Sequence, residues 1–229
     1  MINAIFQSSG ILNRERRSKL LLVSIVLFFI LPSFSETREI GRIFIVLNLY
    51  VTLVAATMEL REKSAIFWSA IPIATVSMAL LAVSHYYPST TLLVANGIAL
   101  TLFLGLVSIS LFVHLGEPGQ VTTSRIYACV SLYLMLGMCW FSIYNLLNIL
   151  QPGSLVAGGV PLDANTPWST VVYFSLTTLT TLGYGDIVPV TPPARTCATL
   201  EAAAGVLYIA ITVARLVGGQ QSRSSDKHP

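Results

Sequence analysis

The stretch of sequence that decides the fold runs from Trp168 to Pro189 and reads WSTVVYFSLTTLTTLGYGDIVP. Its first part, up to Thr180, is apolar and rich in threonine, which fits a short helix. At about 13 residues this helix is too short to cross a bilayer, because a span takes about 20 residues. Gly183 and Gly185 follow, and glycine adopts backbone conformations that other residues avoid. The stretch therefore predicts a helix that enters a membrane and turns back, followed by a loop.

The composition places the chain in a membrane. Hydrophobic residues make up 54% of the 229 residues, charged residues only 10%, and the mean hydropathy is +0.75. A soluble domain carries about 25% charged residues, so this chain could not solvate its own surface in water. These values argue against a soluble enzyme and against a nucleic-acid-binding protein. The three cysteines lack the short spacing of zinc or redox motifs, no catalytic constellation is present, and we expect no cofactor.

Six apolar runs are candidates for membrane-spanning helices. They are Leu20–Phe34, Ile43–Met58, Ala65–Ser84, Thr91–His114, Ile126–Leu150 and Ala194–Val217. The predicted fold class is an all-α membrane protein with six transmembrane helices, a re-entrant helix and a loop. The basic residues before the first run also fit a secretory signal peptide, but we interpret that run as an uncleaved span.

The distribution of lysine and arginine predicts the orientation of the chain. If the N-terminus is cytoplasmic and six spans alternate, most of the 13 basic residues lie inside. The inside set is Arg14, Arg16, Arg17, Lys19, Arg61, Lys63, Arg125, Arg215, Arg223 and Lys227. The outside set is Arg38, Arg42 and Arg195. We therefore expect both termini in the cytoplasm of a plasma-membrane protein, with the connection between the last two spans outside.

The loop resembles the selectivity filter of potassium channels, whose signature Thr-Val-Gly-Tyr-Gly appears here with Leu182 in place of valine. A lone Gly-Tyr-Gly would fit an ordinary turn, but this one follows a re-entrant helix between two spans. The K+ ligands that the resemblance implies are the backbone carbonyls of Thr181, Leu182, Gly183 and Tyr184. Gly183 and Gly185 can adopt positive φ, which lets successive carbonyls point into one axis. Because one chain supplies one such segment, the resemblance also implies a homotetramer.

On this resemblance the chain divides at the turn-forming residues Gly116, Pro118 and Gly119. Residues 1–120 form an N-terminal membrane domain of four spans, and residues 121–229 form a pore domain. The pore domain is expected to contain an outer helix over 126–150, a pore helix over 168–180, the filter over 181–186 and an inner helix over 194–217.

Four further residues are expected to support the filter. In the resembling family a carboxylate at the position of Asp186 bonds to an aromatic side chain of the pore helix, which matches Tyr173 here. A solvated loop carboxylate is the alternative for Asp186. Thr177 occupies a position that is glutamate in some members of the family, so the glutamate-linked inactivation of those members is in doubt here. Glu201 is the only acidic residue well inside a predicted span, which makes it a functional candidate; we expect it to bond to the rear of the pore helix.

Gly205 matches the glycine that serves as a gating hinge in the inner helix of bacterial members of the family. A small residue for close helix packing explains this glycine equally well. Both interpretations stay open.

The fourth predicted span differs from a voltage sensor, because residues 91–114 contain no lysine or arginine. A voltage sensor needs several charges, since moving one charge through 100 mV yields only about 2.3 kcal/mol. The span instead carries a stripe of small residues, which predicts a packing face. These residues are Gly97, Thr101, Gly105 and Ser108. We therefore expect that gating is not steeply voltage-dependent.

The sequence thus predicts a passive, potassium-selective ion channel whose partners are the lipid bilayer, K+ ions and three further copies of the chain, with no nucleic acid. Two alternatives stay open. A weakly selective cation channel is disfavoured by Tyr184, whereas Leu182 leaves it open. The other alternative is a membrane sensor or regulatory subunit that does not conduct.

Overall fold

A computed structural model describes residues 2–35, 39–59, 64–87, 89–116, 122–163 and 166–225 of the chain. Most of this part is helical, as the apolar runs predicted. The helices are α1 (Ile2–Ser35), α2 (Glu39–Glu59), α3 (Ser64–Tyr86), α4 (Thr90–Gly116), α5 (Thr123–Leu150), α6 (Trp168–Leu179) and α7 (Pro192–Ser225). The strands are β1 (Leu155–Ala157), β2 (Val160–Pro161) and β3 (Ile187–Pro189).

Three helical segments of the described chain are long and apolar enough to cross a bilayer: Thr90–Gly116, Thr123–Leu150 and Pro192–Arg215. They correspond to the last three predicted spans. Helices α2 and α3 contain shorter apolar segments, Leu47–Glu59 and Trp68–Ser84. Each of the six apolar runs lies in a helix, but the count of six spans stays a prediction.

Local chemistry explains where the last long helices begin. The Thr122 hydroxyl accepts a hydrogen bond from the Arg125 backbone N–H at 3.3 Å and caps the start of α5. Helix α7 begins at Pro192, and the fixed φ of proline suits a first helical turn. Both helices therefore start slightly before the predicted 126 and 194. Most of the predicted domain boundary, at Gly116 to Gly119, lies outside the described residues, which resume at residue 122.

Helices α1 and α4 attach the N-terminal part of the chain to α5. In the middle of α1, Phe28 packs edge-on against Phe141 of α5, with ring centroids 5.9 Å apart. Towards the start of α5, the Ser18 hydroxyl donates a hydrogen bond to Glu59 of α2 at 2.6 Å and lies 3.0 Å from the Ser124 hydroxyl. Helix α5 is therefore the element that both parts of the chain share.

The small-residue stripe of α4 packs against α5 over part of its length. A Cβ at Gly97 would lie 3.2 Å from the Leu146 side chain, so the two helices approach closely there. The Thr101 and Ser142 hydroxyls lie 2.8 Å apart. Gly105 faces open space. The predicted packing face is confirmed at Gly97 and Thr101, and it does not extend to Gly105.

The connection from α5 to α6 contains a small antiparallel sheet in the order β2-β1-β3. Strand β1 pairs with β3 in the register Leu155 to Pro189 and Ala157 to Ile187. Because β3 directly follows the loop at 181–186, the sheet fixes the C-terminal end of that loop. Strands of two or three residues are too short to show an alternating pattern, so this sheet could not be predicted from the sequence.

Candidate functional site

The candidate site is the loop 181–186, which directly follows α6, the helix that packs against α5 and α7. Helix α6 is packed firmly behind it. The Phe174 ring of α6 lies edge-on to Tyr144 of α5, with centroids 4.9 Å apart. Helix α6 ends at Leu179, one residue before the predicted end at Thr180. The Thr180 N–H still bonds to the Leu176 carbonyl at 3.0 Å, and the chain leaves the helix at the next residue.

The backbone of the loop alternates in hand. Thr181, Gly183 and Gly185 have φ values of 58°, 49° and 81°. Residues of alternating hand turn successive peptide groups in the same direction. The two glycines adopt positive φ without a Cβ penalty. Thr181 is a β-branched residue in the left-handed region, which costs about 1–2 kcal/mol, so the surrounding structure must enforce this conformation.

The backbone amides at the N-terminal end of the loop donate hydrogen bonds to carbonyl groups of α6. The N–H groups of Leu182 and Gly183 both donate to the Thr177 carbonyl, at 2.8 and 3.1 Å. In a planar trans peptide the carbonyl of one residue points opposite to the N–H of the next. The carbonyls of Thr181 and Leu182 therefore point away from α6, to the open side of the loop. This arrangement presents carbonyl oxygens to a ligand on that side.

The predicted support residue Thr177 contributes through its backbone. Its side chain is buried, and the hydroxyl bonds to the Phe174 carbonyl of its own helix at 3.0 Å. The carbonyl of Thr177 is the acceptor for two loop amides. The structure thus brings Thr177 to the loop, with the contact made by the main chain.

The C-terminal end of the loop is held in place by the sheet and by two aromatic rings. The Asp186 carbonyl accepts a hydrogen bond from the Gly158 N–H at 3.1 Å. The rings of Tyr173 and Tyr184 are stacked, with centroids 6.4 Å apart and an interplanar angle of 4°. A side-chain hydrogen bond to Asp186 raises the pKa of Tyr173, because the carboxylate accepts the phenolic proton. The predicted pair of Tyr173 and Asp186 is therefore in contact.

Glu201 lies behind α6 and is fully buried. Its Oε1 atom is 2.6 Å from the Ser175 hydroxyl of α6, which is the contact with the rear of the pore helix that the sequence predicted. Its Oε2 atom is 2.6 Å from the Tyr144 hydroxyl of α5. One carboxyl group therefore joins α5, α6 and α7.

Gly205 lies one turn further along α7, against the end of α6. A Cβ at this position would overlap the carbonyl oxygen of Leu179. Helix α7 runs without interruption through Gly205. This contact favours the packing interpretation, while a hinge role stays a prediction.

Three features of the site were not predicted from the sequence. The positive φ of Thr181 carries no sequence signal, because threonine normally avoids that region. Tyr144 and Ser175 were not identified as partners of Glu201. A signal was present, since a carboxyl group inside an apolar helix needs hydrogen-bond donors on the facing helices.

Comparison with known proteins supports an ion channel. Residues 128–218 match a protein family described as ion channel. Over 71 residues the chain is 35% identical to the inward rectifier potassium channel Kirbac3.1 of Paramagnetospirillum magnetotacticum. The matched part is 30% of this chain and 24% of that protein, so the chain spans about a quarter of the relative's length. No solved structure matches the chain.

These similarities point to a channel and not to an enzyme, and they support a relation to the potassium channel family. The family match begins within α5, includes the loop 181–186 and ends in α7. Helices α1 to α4 lie outside the matched range.

Proposed function

We propose that four copies of this chain form a potassium-selective channel in which K+ ions pass along the carbonyls of residues 181–184. The observation that carries this proposal is the loop backbone. It has positive φ at every second residue, and the amides of Leu182 and Gly183 donate hydrogen bonds to α6. In such a filter, carbonyl oxygens replace the water that K+ loses on entering a narrow pore. The similarity of residues 128–218 to an ion channel family supports the same function.

The proposal of a homotetramer follows from the one-sided exposure of the loop. Leu182 and Tyr184 are 55% and 69% exposed in the single chain. Large apolar side chains grouped at one surface usually mark an interaction site. A dehydrated ion also needs oxygen ligands on all sides, and one chain supplies them on only one. Further copies around a common axis meet both requirements.

The proposed orientation places the loop and the sheet outside a plasma membrane, with both termini in the cytoplasm. Two basic side chains of the pore part gather at the end of α4. The Arg125 guanidinium donates to the Leu115 carbonyl at 2.6 Å, and the Arg215 guanidinium lies 5.5 Å from the centre of the Phe112 ring. Clustered arginines favour the cytoplasmic side of a membrane.

The proposed channel is not steeply gated by voltage, because α4 contains no lysine or arginine between residues 91 and 114. The dependence of open probability on voltage should correspond to less than about one gating charge per subunit. Current recordings that gave several gating charges would contradict this part of the proposal.

A weakly selective cation channel is the second candidate, and Leu182 is the observation that favours it. Leucine is larger than the valine of the resembling filters, and the side chain flanks two proposed ligands. A change in its packing could widen the spacing of the carbonyls. Selectivity therefore has to be measured together with conduction.

Ion flux into liposomes tests the proposal. Purified tetramers are reconstituted with a K+ gradient or with a matched Na+ gradient, and empty liposomes serve as the control. We expect rapid uptake driven by the K+ gradient, block by barium, and little uptake with Na+. Equal uptake of both ions would favour the weakly selective channel, and no uptake by verified tetramers would favour a non-conducting regulatory protein.

A further inference from the structure

The carboxyl group of Glu201 takes part in three short contacts between oxygen atoms. Tyr144 Oη lies 2.6 Å from Glu201 Oε2, and Ser175 Oγ lies 2.6 Å from Glu201 Oε1. Ser175 Oγ also lies 2.9 Å from the backbone carbonyl oxygen of Gly137 in α5. All three distances are those of O–H···O hydrogen bonds. The loop-bearing helix α6 is therefore tied to both of its neighbours at this point.

The number of hydrogens decides the state of the carboxyl group. Each contact needs one hydrogen, because two oxygens without one repel each other at this separation. Tyr144 and Ser175 each supply one hydroxyl hydrogen, and the Gly137 carbonyl supplies none. An ionised Glu201 would leave one of the three contacts without a hydrogen. A protonated carboxyl group supplies the third, by donating from Oε1 to Ser175 while Ser175 donates to Gly137.

Among the described residues, no cation faces Glu201 to balance a negative charge. Within the described part of the chain, the titratable side chains that face Glu201 from α5 and α7 are Tyr133, Cys139, Tyr144 and Cys197. Helix α6 contributes the neutral Ser175. None of these groups is positive in any protonation state. A fully buried carboxylate without a positive partner is costly, so the neutral acid suits this site better.

We propose that Glu201 is a positioning residue for ion selection and that it works as a neutral carboxylic acid. Its proton completes the chain of hydrogen bonds from α7 through Ser175 to α5 and so fixes the position of α6. Ser175 precedes by two residues Thr177, whose carbonyl accepts the amides of Leu182 and Gly183. The position of Glu201 thereby determines the position of the loop relative to α6. This inference rests on the proposed channel function.

Three variants of Glu201 separate the neutral acid from a carboxylate. Glu201→Gln is uncharged and can repeat all three contacts, since its amide donates to Ser175 and its oxygen accepts from Tyr144. Glu201→Ala removes the contacts, and Glu201→Asp is one methylene too short to reach both helices. In flux assays on intact tetramers, we expect Glu201→Gln to keep the K+ over Na+ preference within about twofold. The Ala and Asp variants should lose about tenfold or more of it, as expected when buried hydrogen bonds are broken.

The outcomes are distinct. If Glu201→Gln loses selectivity as fully as Glu201→Ala, the negative charge is needed and the neutral acid is wrong. If Glu201→Ala behaves as the wild type does, Glu201 does not position α6. Thermal unfolding alone would not distinguish these cases, whereas the ion preference does.

Infrared difference spectroscopy tests the same inference without any need for conduction. At neutral pH, the spectrum of Glu201→Gln minus that of the wild type should show the loss of a protonated-carboxyl C=O band. The matched control Glu15→Gln should not lose that band. Tyr144→Phe should shift it to higher frequency, because the carbonyl oxygen loses its hydrogen bond. Loss of a carboxylate band instead would overturn the inference, and a wild-type protein that shows the protonated band but no flux would refute the channel while leaving Glu201 neutral.

Discussion

The contact between α4 and α5 differs in kind from the contacts among α5, α6 and α7. Helix α4 meets α5 through small residues and a pair of neutral hydroxyls, Thr101 and Ser142. Helices α5, α6 and α7 converge on one fully buried carboxyl group, that of Glu201. Helix α6 leads directly into a loop with positive φ at alternate residues. The α4–α5 contact is made by small residues and neutral groups, whereas the second contact places an ionisable carboxyl group where folding alone does not require one.

This difference supports the proposed location of the function at the loop 181–186. A buried carboxyl group and a left-handed threonine both lower stability unless the surrounding structure compensates. Thr181 begins the loop 181–186, and Glu201 contacts α6, the helix that carries this loop. The substitutions at Gly185, Gly205 and Tyr173 each have a matched control away from the loop.

The largest effect is expected from Gly185→Ala, with Gly159→Ala as the matched control. Both glycines have positive φ, 81° and 87°, and neither has a neighbour that would clash with a Cβ. The left-handed conformation costs a Cβ-bearing residue about 1–2 kcal/mol, or about 4–8 kcal/mol over the four chains of the proposed tetramer. We expect Gly185→Ala to abolish K+ flux, because the carbonyls turn away from the axis.

Gly159→Ala carries the same strain in the turn between β1 and β2, away from the carbonyl row. Its flux should stay close to that of the wild type. Equal loss of flux in the two variants would mean that strain in general, and not the direction of the loop carbonyls, accounts for the effect.

The next effect is expected from Gly205→Ala, compared with Gly105→Ala. A Cβ at Gly205 would overlap the Leu179 carbonyl oxygen, whereas Gly105 has open space around it. We expect Gly205→Ala to destabilise the protein by about 1–3 kcal/mol through overpacking. Gly105→Ala should be neutral or stabilising by about 0.5–1 kcal/mol, because alanine is the better helix former.

Thermal unfolding in detergent measures both changes. A normal melting temperature for Gly205→Ala, together with altered gating, would restore the hinge interpretation over the packing one.

A smaller effect is expected from Tyr173→Phe, compared with Tyr50→Phe. Each change removes one phenolic hydroxyl, which bonds to Asp186 in the first case and to the Met78 carbonyl at 3.3 Å in the second. Loss of the Asp186 contact should make the C-terminal end of the loop more mobile and shorten the open times of single channels. Tyr50→Phe should leave the open times unchanged. Equal open times in the two variants would show that the Asp186 contact does not stabilise the loop.

The smallest effect is expected from Thr101→Val, which removes a hydroxyl paired with Ser142 across the α4–α5 interface. The loss of one such hydrogen bond should reduce stability by about 0.5–1.5 kcal/mol. The ratio of K+ to Na+ permeability should not change. A clear change in that ratio would show that the α4–α5 interface affects ion selection by the loop.

The sequence predicted those features that follow from hydropathy and from the special conformations of glycine. The apolar runs lie in helices, Gly183 and Gly185 have positive φ, and Glu201 contacts the rear of α6. What it could not predict depends on tertiary contacts. The left-handed Thr181 contradicts its own intrinsic preference, the partner Tyr144 is distant in sequence from Glu201, and the strands at 155–161 are too short to leave a pattern.

We propose that the carbonyls of residues 181–184 select K+. The reversal potential of single channels in a planar bilayer, with K+ on one side and Na+ on the other, measures this selection. We predict a reversal potential displaced strongly in the direction that K+ selectivity requires, and its collapse in Gly185→Ala. A reversal potential near zero in the wild-type protein would contradict the claim.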